Sequence, residues 1–198
     1  VVLSMKSVLL IHLFKALTKI ALVLFEVHGL HPAHVGAMPF DGEGTPTRTL
    51  RLIGDGRLES FLHSEATARA FGVQPTGHAG LGAKVSVGPD WFEVHRSEGC
   101  TLPADHLDHR TTSDPFVLIE SLNALHAGVK ASQGSFSLPF DGWLVNGGER
   151  ISVEAATVAG DIRELLRSIV QIEADPIVTH EGVCPHVWVD GLAITGEA

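Results

Sequence analysis

Gly134–Gly160 reads GSFSLPFDGWLVNGGERISVEAATVAG, and this stretch decides the fold. It describes one strand, a tight turn, a second strand and the entry to a helix. Asn146-Gly147-Gly148 supplies the turn, because these residues accept positive φ at little cost. Asp161 follows, with Glu164 three residues on. That capping-box pattern predicts a helix over DIRELLRSIV.

Working outward, the same punctuation recurs. Gly54-Asp55-Gly56 separates a strand over Thr47–Ile53 from an answering strand over Arg57–His63. Ser64 caps a short helix, EATARAF, and Gly72 ends it in the left-handed conformation. Lys84–Val87, Trp91–His95 and Phe116–Leu122 read as strands. Asp175–Pro185 reads as a loop, and His186–Thr195 as a last hairpin turning at Asp190-Gly191. Hairpins are many, helices few, and no βαβ rhythm appears. The class expected is α+β, a single domain of mostly antiparallel hairpins with a few short-to-medium helices. Polar, His-rich Ser97–Asp114 is expected to be a mobile insertion.

Composition narrows the function classes. The chain has 198 residues, enough for one well-buried domain, and 44% of them are hydrophobic, which excludes intrinsic disorder. Fourteen basic residues against 23 acidic ones leave a net charge of −9. A sequence-blind nucleic-acid binder needs the opposite balance, so no nucleic-acid partner is expected. Cys100 and Cys184 make no disulfide framework and fit reduced thiols in a cytoplasmic protein. Val8–Phe25 is strongly apolar but carries His12, Lys15 and Lys19 at helical spacing. That argues for a buried amphipathic helix over Ser4–Lys19 and a strand over Ile20–Val27, with no membrane role.

Three further segments carry a family likeness. They are PFDGEGTPTR (Pro39–Arg48), LIGDGRLESFLHSEATARAFG (Leu52–Gly72) and VCPHVWVDGLAITGE (Val183–Glu197). With the opening hairpin and in this order, they resemble the C-terminal domain of the TldD/PmbA proteins, also called modulator of DNA gyrase proteins. The phrasing is closest to the PmbA-like members. The likeness runs from about Val1 to Glu197, so residues 1–198 are expected to form that domain. The family's N-terminal domain has no counterpart here. With Val as its first residue, the chain reads as a C-terminal fragment or a truncated reading frame.

The resemblance has chemical consequences. TldD-type members bind zinc through a helical HExxxH and a later cysteine, and zinc needs neutral imidazole or thiolate ligands with an open position for water. The comparable helix here is VLLIHLFKAL. His12 is present, but Leu13 stands at the acid and Leu17 at the second histidine. Cys184 is followed by Pro185 and a β run, where zinc-bearing members have a Gly-Lys segment. The resemblance therefore implies no catalytic residue and no cofactor in this chain. Zinc would sit in a TldD-like partner subunit that hydrolyses unfolded peptides. Candidate peptide-contacting residues are Phe40, Asp41 and Glu43 in the Pro39–Thr45 loop, and Phe136, Phe140 and Trp143 in the Phe136–Trp143 strand.

The residues alone also leave other readings open. Glu26, His28, His31 and His34 lie in EVHGLHPAH and could gather around one ion if the loop curls, giving a self-sufficient metallohydrolase. His106 and His109 form a weaker pair. Asp41, Glu43 and Asp141 could do acid–base work, although Asp before Gly ordinarily caps its own backbone. The Gly-rich Thr76–Lys84 loop lacks the phosphate-loop spacing. A non-enzymatic fragment is the third reading.

Overall fold

The computed structural model describes residues 2–3, 23–54, 57–97, 108–130, 132–180 and 182–196. The expected helix over Ser4–Lys19, the Asp55-Gly56 turn and the 98–107 part of the expected insertion lie outside them. In chain order the described strands are β1 (Val2–Leu3), β2 (Val23–His28), β3 (Thr49–Gly54), β4 (Arg57–Leu58), β5 (Ala79–Gly80), β6 (Ser86–Val87) and β7 (Phe92–Arg96). They continue with β8 (Phe116–Leu122), β9 (Val129–Lys130), β10 (Ser135–Asn146), β11 (Glu149–Asp161), β12 (Ile169–Val178), β13 (Gly182–Val189) and β14 (Ala193–Thr195). All but β5 and β6 join one sheet in the order β14-β11-β10-β8-β1-β13-β7-β2-β3-β4, with β12 beside β13 and β9 beside β10.

Most pairings are antiparallel, but β1–β8 and β13–β7 are parallel. Strands make up 49% of the described residues and helices 11%. The α+β expectation therefore holds in coarse form, and the fold is largely β. Among the described residues no helix is long and apolar enough to cross a membrane.

The β10–β11 hairpin forms as its sequence dictates. Asn146 pairs with Glu149, so Gly147 and Gly148 alone make the turn, with φ of 56° and 88°. Positive φ at both central residues matches the right-handed strand twist. Period-two alternation turns Phe136, Leu138 and Phe140 into the core and Ser137, Pro139 and Asp141 outward. The register slips between Phe140 and Gly142, where Ala155 takes a φ of 54°. Glu65–Phe71 is helical as expected. The Ser64 hydroxyl accepts from Thr67 N, the Thr67 hydroxyl accepts from Ser64 N, and Gly72 closes the helix at φ 68°.

Five expectations need correction. The helix opened by Asp161 ends at Arg167, and Ile169 starts β12 instead of continuing it. β-Branched Ile169 and Val170 favour the pleated surface, and Ile169 and Ile172 are buried there. Asp175–Pro185 is consequently not a loop. It is the end of β12, a turn in which Thr179 N donates to Gly182 O, and the start of β13. The last hairpin does not exist, because β14 pairs with β11 and not with β13. Within Arg57–His63 and Lys84–Val87 only Arg57–Leu58 and Ser86–Val87 are strands.

One main core runs under the sheet. Phe25, Ile53, Phe140, Ile162, Ile172 and Val189 are among its members, each at most 1% exposed. Fully burying such a side chain contributes about 1.5–3 kcal/mol. The helix Ile162–Arg167 reaches this core through Ile162, Leu165 and Leu166, one helical face. Phe116, Leu118, Val145 and Trp188 form a second, smaller cluster, with Trp143 packed against it.

Candidate functional site

Asp41 organises the Pro39–Thr45 loop. Its Oδ1 accepts from Glu43 N at 3.0 Å and Thr45 N at 2.9 Å, and its Oδ2 accepts from Ala79 N at 3.0 Å. This is an Asx turn extended to pin the loop on β5. Glu43 Oε2 accepts from Glu65 N at 2.8 Å, one of the amides left open at the helix start. Phe40 stands out from this braced loop at 54% exposure. Glu43, Thr45, Pro46, Arg48, Glu65 and Pro75 line an adjoining open groove of about 450 Å³.

The three aromatic residues expected on the hairpin fare differently. Phe136 and Phe140 are 5% and 0% exposed and belong to the main core. Their expected place on a peptide surface is corrected: the alternation of β10 turns them inward, where they pack. Trp143 is half-buried against the smaller cluster. Asp141 faces out and accepts from Ser121 Oγ at 3.0 Å and Asn123 Nδ2 at 2.8 Å. The loop's contacts run to Ala79 and Glu65 and the strand's to Ser121 and Asn123, so the two expected surfaces are built separately.

The structure draws EVHGLHPAH around Trp91, which is fully buried. His31 stacks on the indole with centroids 4.9 Å apart, and His34 tilts against it at 5.2 Å. Buried Glu93 collects Trp91 Nε1 at 3.1 Å, His95 Nε2 at 2.8 Å and, at 3.7 Å, His31 Nε2. Glu26 points elsewhere, pairing with Arg51 Nε at 3.2 Å on β3. His28 lies in β2, but its side chain is outside the described set.

A second carboxylate is built in the same way. Glu173 on β12 is 4% exposed. Its Oε1 accepts from His109 N at 2.9 Å and Trp188 Nε1 at 2.8 Å. Its Oε2 faces His109 Nδ1 at 2.8 Å and His186 Nδ1 at 3.5 Å. The two imidazole rings lie 4.0 Å apart, centroid to centroid. Burial alone would raise the Glu173 carboxyl, but hydrogen bonds from His186, His109 and Trp188 outweigh it and hold the group down at about 2. Arg110 bridges Asp108 to Asp175 on β12 at 2.8 Å, so the turn before β8 is fastened beside this cluster.

Cys184 carries a free thiol whose proton is donated to Pro185 O at 3.3 Å, and burial pushes the thiol up to about 12. Among the described residues it joins no set of three ligand atoms within 4.8 Å. A zinc-binding cysteine is a thiolate with further ligands at fixed geometry. Among the described residues no such pair of further ligand atoms lies beside Cys184.

The family model described as PmbA/TldA metallopeptidase C-terminal domain matches residues 9–196. The chain belongs to the PmbA/TldD family. Metalloprotease PmbA of Escherichia coli O157:H7 is 30% identical over 82% of this chain, which corresponds to 33% of that protein. A Thermotoga maritima structure, a candidate modulator of a DNA gyrase, is 29% identical, with a TM-score of 0.72 over 90% of this chain and 40% of that one. TldE from Thermococcus kodakarensis shares the fold, at 22% identity and a TM-score of 0.73 over 92% of this chain and 42% of that one. This PmbA/TldD chain thus spans about a third of the length of the curated relatives it matches.

Sequence reasoning singled out only His109 of the second cluster. Glu173 is 64 residues from His109 and 15 from Trp188, so no local pattern joins them. The available signal was the period-two spacing of His186 and Trp188 in β13, which puts both on one face.

Proposed function

We propose that this chain is a PmbA-like subunit of a TldD/PmbA-type metallopeptidase assembly that degrades or matures unfolded peptides in the cytoplasm. A zinc-bearing TldD-like subunit supplies the hydrolytic ion. One observation carries this reading: Leu13 and Leu17 stand beside His12 where a zinc helix needs an acid and a second imidazole. Family membership and the PmbA name of the E. coli relative support it. A net charge of −9 speaks against a nucleic-acid partner.

In this role the chain binds and confines substrate. The Phe40–Glu43 loop offers an exposed ring on a braced backbone, and the neighbouring groove suits an extended segment. Trp143 is the second candidate contact.

The test is peptide hydrolysis by the purified chain, alone and with a zinc-bearing family partner. Turnover should appear only in the mixture and should fall in Phe40→Ala. Turnover by the chain alone that vanishes in His31→Ala would overturn this reading and favour a metallohydrolase using Glu26, His28, His31 and His34.

A further inference from the structure

The His109, Glu173 and His186 cluster is more than a buried ion pair, and we propose that it binds one divalent first-row transition ion. Its three donor atoms, two imidazole nitrogens and one carboxylate oxygen, all lie within 4.8 Å of one another. An ion bonded at about 2.0–2.1 Å to each donor sets tetrahedral donor–donor separations of about 3.3 Å. The observed separations from Glu173 Oε2, 2.8 Å and 3.5 Å, bracket that value. Each of these two separations is thus within about half an ångström of the tetrahedral value.

The surroundings are those of a prepared ligand set. Glu173 Oε1 is taken by His109 N and Trp188 Nε1, so Oε2 is the oxygen left to offer. Such outer hydrogen bonds orient metal-binding carboxylates. Two nitrogens and one oxygen suit zinc, cobalt, nickel or iron(II), not calcium or magnesium. The histidine side chains are 12% and 14% exposed, enough for water to complete the coordination.

The ligands come from three places: the turn before β8, β12 and β13. An ion there fastens that turn across the sheet, beside the Arg110–Asp175 pair. The site is separate from the hydrolytic zinc of the proposed assembly and runs against the sequence expectation of a chain without metal.

The test uses the whole chain stripped by a chelator and titrated with zinc by calorimetry, then with cobalt(II) by absorption. One equivalent of zinc should bind and raise Tm. Cobalt should give the intense d–d bands of a four-coordinate nitrogen–oxygen site. Replacing an outer hydrogen-bond partner costs about 10–100-fold in affinity, so Trp188→Phe should lose about tenfold, and His186→Gln about 100-fold or more. His63→Gln, which removes a histidine elsewhere, should change nothing. Absence of saturable one-to-one binding to the wild-type chain would overturn the proposal. So would undiminished binding in folded His186→Gln, or a thiolate-to-cobalt band, which would move the ion to a cysteine. If His186→Gln does not fold, the wild-type cobalt spectrum decides. None of these readouts depends on peptide turnover, so this site and the subunit reading fail independently.

Discussion

Replacing Asp41 with alanine tests whether the Pro39–Thr45 loop is held by one carboxylate. Three backbone amides donate to it: Glu43 and Thr45 to Oδ1, and Ala79 to Oδ2. A hydrogen bond to a charged group contributes about 1.5–3 kcal/mol net. Asp41 is half-buried, so water recovers part of each bond, and about 1 kcal/mol apiece is the better figure. Asp41→Ala should therefore cost about 3 kcal/mol, or about 6–12 °C in Tm for a chain of this size. Asp41→Asn keeps an oxygen for Glu43 and Thr45 but turns an amide group towards the Ala79 N–H. It should cost about 1–2 kcal/mol, the penalty of one unsatisfied donor. Urea unfolding measures both, and amide exchange at Thr45 and Ala79 locates the effect. If Asp41→Ala unfolds within about 0.5 kcal/mol of wild type with Ala79 still protected, the carboxylate does not brace the loop. The stiff platform given to Phe40 would then be wrong.

The other predictions follow from packing and backbone geometry. Phe140 is 0% exposed, so Phe140→Ala should lose about 3–5 kcal/mol in urea unfolding. A methyl group at Gly142 would overlap the Leu118 carbonyl across the β8–β10 pairing, so Gly142→Ala should cost about 1–3 kcal/mol or more, read as a fall in Tm. At the hairpin turn, Gly147→Asn should be nearly neutral, whereas Gly148→Val, at φ 88°, should cost about 1–2 kcal/mol. His78 is buried, neither ring nitrogen meets a hydrogen-bond partner among the described residues, and burial lowers its pKa below 6.5 against the opposing pull of Asp90. As pH falls below 6.5 the unfolded chain gains a proton that the folded chain refuses, so stability drops until the folded pKa is passed. His78→Leu should remove that component, and Tm measured across this range should fall less steeply than in the wild type.

The parts of the fold that were legible are those whose partners lie close in sequence. The β10–β11 hairpin is set by its own alternation and by Gly147-Gly148. Glu65–Phe71 is set by Ser64, Thr67 and Gly72, all inside one short segment. β12 was missed because Leu165, Leu166 and Ile169 suit a continuing helix as well as a helix followed by a strand. The decision is made elsewhere: Asp190 N donates to Ser168 O and β13 pairs along β12. Gly191, at φ 75°, does bend the chain after β13, but towards β11 and not back into the expected hairpin. β13 already has β12, β1 and β7 as partners, so the chain leaving it must travel to the edge at β11. The same limit hid Glu173. A buried carboxylate needs several donors to offset its desolvation, and among the described residues the turn before β8 and strand β13 supply them. Its role is therefore a property of sheet order, and only Glu173→Gln, which leaves every strand signal in the sequence intact, can separate that role from the strand that carries it.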